Sequence, residues 1–141
     1  MVEHTLRPLT ADEQKFIEQH VLFGVRERGV DLQDPAAIDA EFSQGLAAVV
    51  QDAAPEDIAQ NLVGVTGAML GHHLCMKHGL VRAMDGGGDR NRWVVVSQDE
   101  HAVFYPFDTA AKHWRAQETD WMPDYAAQVA EALGVESVSG E

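Results

Sequence analysis

The chain has 141 residues, 45% of them apolar, and a formal charge of −13 at neutral pH. That is one domain's length, able to bury a hydrophobic core without disulfides or metals and too apolar for a disordered segment. The charge excludes nucleic acid and anionic membrane as natural partners, because both repel it.

The charge is unevenly spread. Residues 1–61 carry 12 acids and 4 bases, 62–116 carry 5 and 6, and 117–141 carry 6 and none. Between Arg28 and Lys77 lie seven acids and no Lys or Arg. No apolar run approaches the roughly 20 residues of a membrane-spanning helix. The start, MVEHTLRPLTADEQ, has no apolar core of a secretory signal. Cys75 is the single cysteine, so no internal disulfide can form. Together these features predict a cytoplasmic protein.

In chain order, Thr10-Ala-Asp-Glu13 is a capping box that opens a helix carrying Phe16, Ile17, His20, Val21 and Gly24 at helical spacing, stopped by Gly29. Asp34-Pro35 is an N-cap followed by a first-turn proline. Ile38, Phe42, Leu46, Val49 and Val50 then form an amphipathic stripe. A third helix is predicted from about Pro55, with Glu56 and Asp57 in its first turn, to about His78, with Gly79 as a left-handed stop.

After Gly79 the period changes. Leu80–Met84 and Trp93–Val96 read as strands, with the glycine-rich loop Asp85–Asp89 between them. His101–Tyr105 reads as the returning strand of a hairpin, ended by Pro106. Asp108 is placed to cap a helix running to about Arg115. A last helix follows Pro123, with Tyr125, Val129 and Leu133 at i, i+4 and i+8 and Gly134 as its stop. The expected fold is α+β: three N-terminal helices, a small antiparallel β-meander, and two short C-terminal helices, with helices and strands segregated. Residues 1–134 are expected to form a single globular domain and 135–141 a flexible tail.

The third helix contains GHHLCMKHG, residues 71–79. On a helical wheel Gly64, Gly67, Ala68, Gly71 and Cys75 share one face, while Leu62, Val65, Met69 and Met76 occupy a second and Val63, Leu70 and Leu74 a third. A helix apolar or small all round is predicted to be central and buried. Three interior glycines cost about 1 kcal/mol each relative to alanine, so the glycine face predicts close approach of another backbone, with Cys75 as a further small residue of that seam. A metal site of His72, Cys75 and His78 is the alternative. Against it, His72 and His78 lie roughly 9 Å apart along the axis, and no HExxH, CxxC or CxxH pattern accompanies them. Lys77 and His78 suit the helix C-terminus electrostatically.

The segment from Leu70 to Lys112 resembles an uncharacterised bacterial domain family, a domain of unknown function. The likeness rests on Leu70-Gly71, Leu74 and Gly79 ending a helix, Trp93-Val94-Val95 forming a strand, and Ala102-Val103 before Pro106-Phe107 and Lys112. It covers about a third of the chain, departing at His113, where arginine is expected after the lysine, and in the glycine-rich loop. The resemblance implies an α+β domain of bacterial origin and brings no catalytic residues. Lys112, beside an acidic shell, is expected to make an internal ion pair.

The leading functional expectation is a non-enzymatic interaction module, immunity- or chaperone-like, whose acidic helices bind a basic protein through Asp39, Glu41, Asp52 and Glu56. It calls for no cofactor and no catalytic residue. The rivals are a hydrolase or metal-assisted enzyme with His72, His101 and His113 at a hairpin cleft, and a homo-oligomer paired through the glycine face or the hairpin edge. Monomer and homodimer both remain open on sequence.

Overall fold

The computed structural model describes residues 6–52, 56–86, 92–98 and 102–134, the side chains of 52 and 56–60 excepted. The order is β1 (Leu6–Arg7), α1 (Ala11–Arg28), α2 (Pro35–Asp52), α3 (Glu56–His78), β2 (Val81–Asp85), β3 (Arg92–Val96), β4 (Val103–Phe104), α4 (Pro106–Arg115) and α5 (Met122–Ala132). This is the expected α+β architecture, with one added strand.

The helix signals act as their chemistry requires. Thr10 Oγ1 accepts from Glu13 N while Thr10 N donates to the Glu13 carboxylate, the reciprocal capping box. Gly29 ends α1 with φ +67, a left-handed conformation that glycine adopts without strain. The Asp34 carboxylate accepts from Ala36 N ahead of α2, and Gly79 closes α3, its N–H donating to the Cys75 carbonyl at 2.9 Å.

The sheet is antiparallel throughout, in the order β1-β2-β3-β4. Ala83 faces Val94 and Met84 faces Trp93 in the central pair. Side chains alternate across a strand, so Trp93 and Val95 join the main core, while Ala83, Val94 and Val96 form a second small cluster with Leu6, Val103 and Tyr105. β1 escapes the sequence because two residues carry no readable period. The returning strand is Val103–Phe104, shorter than 101–105, and His101 lies outside the described residues. Pro106 does more than end it: Pro106 is the first residue of α4, where its missing N–H costs nothing. Asp108 therefore sits inside the first turn of α4 and is not its cap.

α3 is the central element, buried without interruption from Val63 to Leu74 except at half-buried His72. Its glycine face is filled from within the chain. A β-carbon at Gly67 would lie 3.2 Å from Phe107 Cα, so the backbone of α4 passes directly over it. At Gly64 it would meet the His20 ring at 3.2 Å, and at Gly71 the Trp93 indole and, at 3.2 Å, Pro106. The expected close approach is therefore real, and α4 with the tryptophan of β3 provides it. Cys75 is not part of that seam; half-buried, it packs near Leu9, Leu80 and Val81. Three residues placed on apolar faces by the sequence are surface instead: Phe16 is 55% exposed, Val50 53% and Met76 57%.

The Gly71 contact generates a prediction. Gly71→Ala adds helix propensity of about 1 kcal/mol but drives a methyl into a buried indole ring, and overpacking of that kind costs about 1–3 kcal/mol. Urea denaturation is expected to show a net loss of stability; an unchanged or raised midpoint would contradict the seam.

Candidate functional site

Two helices present matching stripes across α3. α1 offers Glu13, Phe16, Ile17 and His20, and α4 offers Asp108, Ala111, Lys112 and Arg115, each set at i, i+3, i+4 and i+7. That spacing places four side chains on one helix face. Between the two faces lies a cleft of about 690 Å³, floored by Gly64 and Ala68 of α3 together with the Trp93 and Phe107 rings, and lined also by Met84 and Arg92. The glycine seam makes the floor low: without a side chain at 64, the His20 ring lies down on α3. His20 Nδ1 sits 2.9 Å from the Phe16 carbonyl, which can only accept, so the proton is on Nδ1. Phe16 and His20 rings lie 4.3 Å apart, and Trp93 and Phe107 meet edge to face at 6.2 Å.

The charges around this apolar floor are unequally engaged. Both Glu13 oxygens accept from Arg7 at 2.9 Å, and one also accepts from Thr10 N. The Arg7 hydrogen bonds, then the Thr10 one, hold the Glu13 carboxyl down at about 2. Asp108 faces Arg92 at 3.6 Å. Arg92 also lies over the Tyr105 ring at 5.9 Å, and the Tyr105 hydroxyl donates to buried Asp85 at 2.8 Å. Burial, then that hydrogen bond, pushes the Tyr105 phenol up to about 12. Lys112 and Arg115 are exposed and make no ion pair among the described residues. The internal pair expected for Lys112 is absent there, because the nearest acid on its stripe, Asp108, faces Arg92.

The sequence-named residues go elsewhere. Asp39 is buried and caps α5 from α2: its two oxygens accept from the backbone N–H groups of Asp120, Trp121 and Met122 at 3.0, 2.9 and 2.7 Å. Glu41 is buried against Arg28, which donates to it at 2.6 Å. Neither is displayed on an acidic face, and charge reversal at Asp39 would strike the fold first. The side chains of Asp52 and Glu56 lie outside the described residues. Hydrophobic spacing did not announce the inward turn of Asp39 and Glu41, because their partners, α5 and Arg28, lie in other segments.

His72 Nδ1 accepts from Arg82 at 2.9 Å. Burial first, and then the neighbouring guanidinium, push the His72 pKa down. A cation so placed opposes a second cation on the same imidazole. His78 is also pushed down, by burial and then Lys77. Among the described residues no three of His, Cys, Asp and Glu group closely enough to hold a metal ion. His113 stacks on Trp121 at 4.2 Å and bonds Glu118 at 2.7 Å, so it and His72 serve different neighbourhoods. His101 lies outside the described residues. His73 is buried and bonds the Leu32 carbonyl at 2.9 Å, tying α3 to the loop before α2.

The cleft was missed by sequence reasoning although both stripes are visible in it. The α1 stripe was read as core, and the α4 stripe was read only through Lys112. No protein-family model, curated protein or solved structure matches the chain. Among the described residues, no helix is long and apolar enough to cross a membrane.

Two predictions follow from these environments. Glu13 is a depressed carboxyl: its contribution is complete above its unfolded value and is lost as pH falls from about 4.5 toward 2. Glu13→Gln should lower stability at neutral pH and flatten the acid limb in that window, read as urea midpoints against pH. Cys75 is pushed up to about 11 by burial, so its thiolate is scarce at pH 8. An aromatic disulfide reagent should react with the native protein about two orders of magnitude more slowly than with the urea-unfolded chain. Equal rates would contradict a buried, protonated thiol at Cys75.

Proposed function

We propose that the chain is a non-enzymatic binding domain of bacterial, cytoplasmic type, and that the cleft between α1 and α4 is its recognition site. One observation carries the reading: an open cleft of about 690 Å³ that combines an apolar, aromatic floor with a few polar groups at its edge. Ligand sites have that size and composition. The polar groups suit holding rather than chemistry. Glu13 is tied to Arg7, His20 is fixed by a backbone carbonyl, Asp108 faces Arg92, and the remaining edge groups are cations.

A second reading, a basic protein held by the acidic helices, is favoured by the seven acids without a base between Arg28 and Lys77. With Asp39 and Glu41 engaged internally, the exposed carboxylates of Asp31 and Asp34 would carry it.

The two readings separate by mutation. Ala111 is half-buried on the cleft wall, so Ala111→Leu should occlude the cleft while retaining the wild-type melting temperature within a few degrees. Capture of extract components, small molecules and proteins alike, by wild type, Ala111→Leu and Asp31→Lys/Asp34→Lys is expected to fail only in the cleft variant. Failure only in the charge-reversed protein would transfer recognition to the acidic helices.

A further inference from the structure

Resting on the cleft reading, the ligand's chemistry can be taken one step further. The chain is strongly acidic, yet three of its ten basic side chains, Arg92, Lys112 and Arg115, border this one cleft. The two carboxylates on the same border each lie nearest an arginine. Glu13 is chelated by Arg7 at two oxygens, and Asp108 faces Arg92. Lys112 and Arg115, one turn apart on α4, are left without a counter-charge among the described residues. Two like charges one turn apart repel each other, and an anion between them relieves that. The bounded floor beneath, framed by Phe16, Trp93 and Phe107, accepts a flat apolar body of small-molecule size.

We propose that the cleft binds a small molecule made of a flat apolar body and one carboxylate, the body on the aromatic floor and the carboxylate between Lys112 and Arg115. Arg92 is a third, conditional contact. Its distance of 3.6 Å from Asp108 exceeds a hydrogen bond, and both side chains are substantially solvent-exposed, so such a pair is weak. A ligand carboxylate competes with Asp108 for it, which makes Asp108 a brake on affinity.

The probe is 2-naphthoate, with 2-naphthamide as its neutral counterpart of the same shape. Binding is read from the indole N–H resonance of Trp93, the tryptophan on the cleft wall, against those of Trp114 and Trp121, which pack on Phe42 away from it. The Trp93 indole N–H makes no hydrogen bond among the described residues, so its shift follows ring contacts. At pH 7 and low salt the expected result is a naphthoate-dependent shift confined to Trp93, with the amide at least about ten-fold weaker, the scale of one hydrogen-bonded charge. Lys112→Gln/Arg115→Gln should erase that preference, bringing naphthoate affinity down to that of the amide, and Asp108→Asn should tighten naphthoate several-fold. Equal affinity for acid and amide, or a preference that survives the double variant, would overturn the carboxylate site and leave the cleft as an apolar recognition site. Binding of neither probe at Trp93 would overturn the carboxylate site and count against the cleft itself.

Discussion

The close approach of α4 to α3 is the constraint on which the rest of this fold depends. It is possible because Gly64, Gly67 and Gly71 line one side of α3, and a β-carbon at Gly67 would press on the α4 backbone itself. Those glycines weaken the helix locally, by about 1 kcal/mol each relative to alanine. The offset is tertiary. Trp93 and Phe107 sink onto α3, and the sheet is drawn against the helical layer through Trp93 and Val95. A low floor between α1 and α4 follows directly, and so does the cleft. A helix with alanine or leucine on that face would hold α4 farther off and fill the space.

Asp39 plays the corresponding part at the other end of the molecule. A single carboxylate on α2 satisfies three successive backbone donors at the start of α5, which would otherwise be orphaned at a helix N-terminus. The chain enters that helix through Asp120, which adopts a left-handed conformation with φ +61, a geometry aspartate tolerates better than most residues. Around it Phe42 meets Trp114 and Trp121 edge to face, and His113 stacks on Trp121. The most acidic part of the sequence is thus partly structural. Asp39 and Glu41 neutralise donors inside the fold, and the partner surface first read from them is reduced to the carboxylates that remain outside.

The same accounting gives the cleft its character. The net charge of the chain would suggest an anionic surface everywhere. Pairing redistributes it: Glu13 is held by Arg7 of β1 and Asp108 faces Arg92 of β3, while two cations of α4 are left over. Local field, not net charge, is what a bound group meets within a few ångströms, because charges beyond about 10 Å are screened at ordinary salt. The recognition proposed for this site follows from that local imbalance over an aromatic floor.

Much of the architecture was written in local chemistry. The capping box at Thr10 and Glu13, the glycine stops at 29, 79 and 134, the Asp34-Pro35 entry and the β-branched run at 93–96 each act within a few residues, so the sequence alone determined the helix order, the meander and the α+β class. It also determined that α3 would be central and that its glycine face would be covered closely. What covered that face was decided by the tertiary structure, as were the two-residue strand β1, the exposure of Phe16 and the inward turn of Asp39 and Glu41. Each of these depends on a partner distant in the chain: α4 for the glycines, β2 for β1, the backbone at 120–122 for Asp39. Periodicity shows which side chains share a face, but only packing settles which faces meet and which charges are left unpaired.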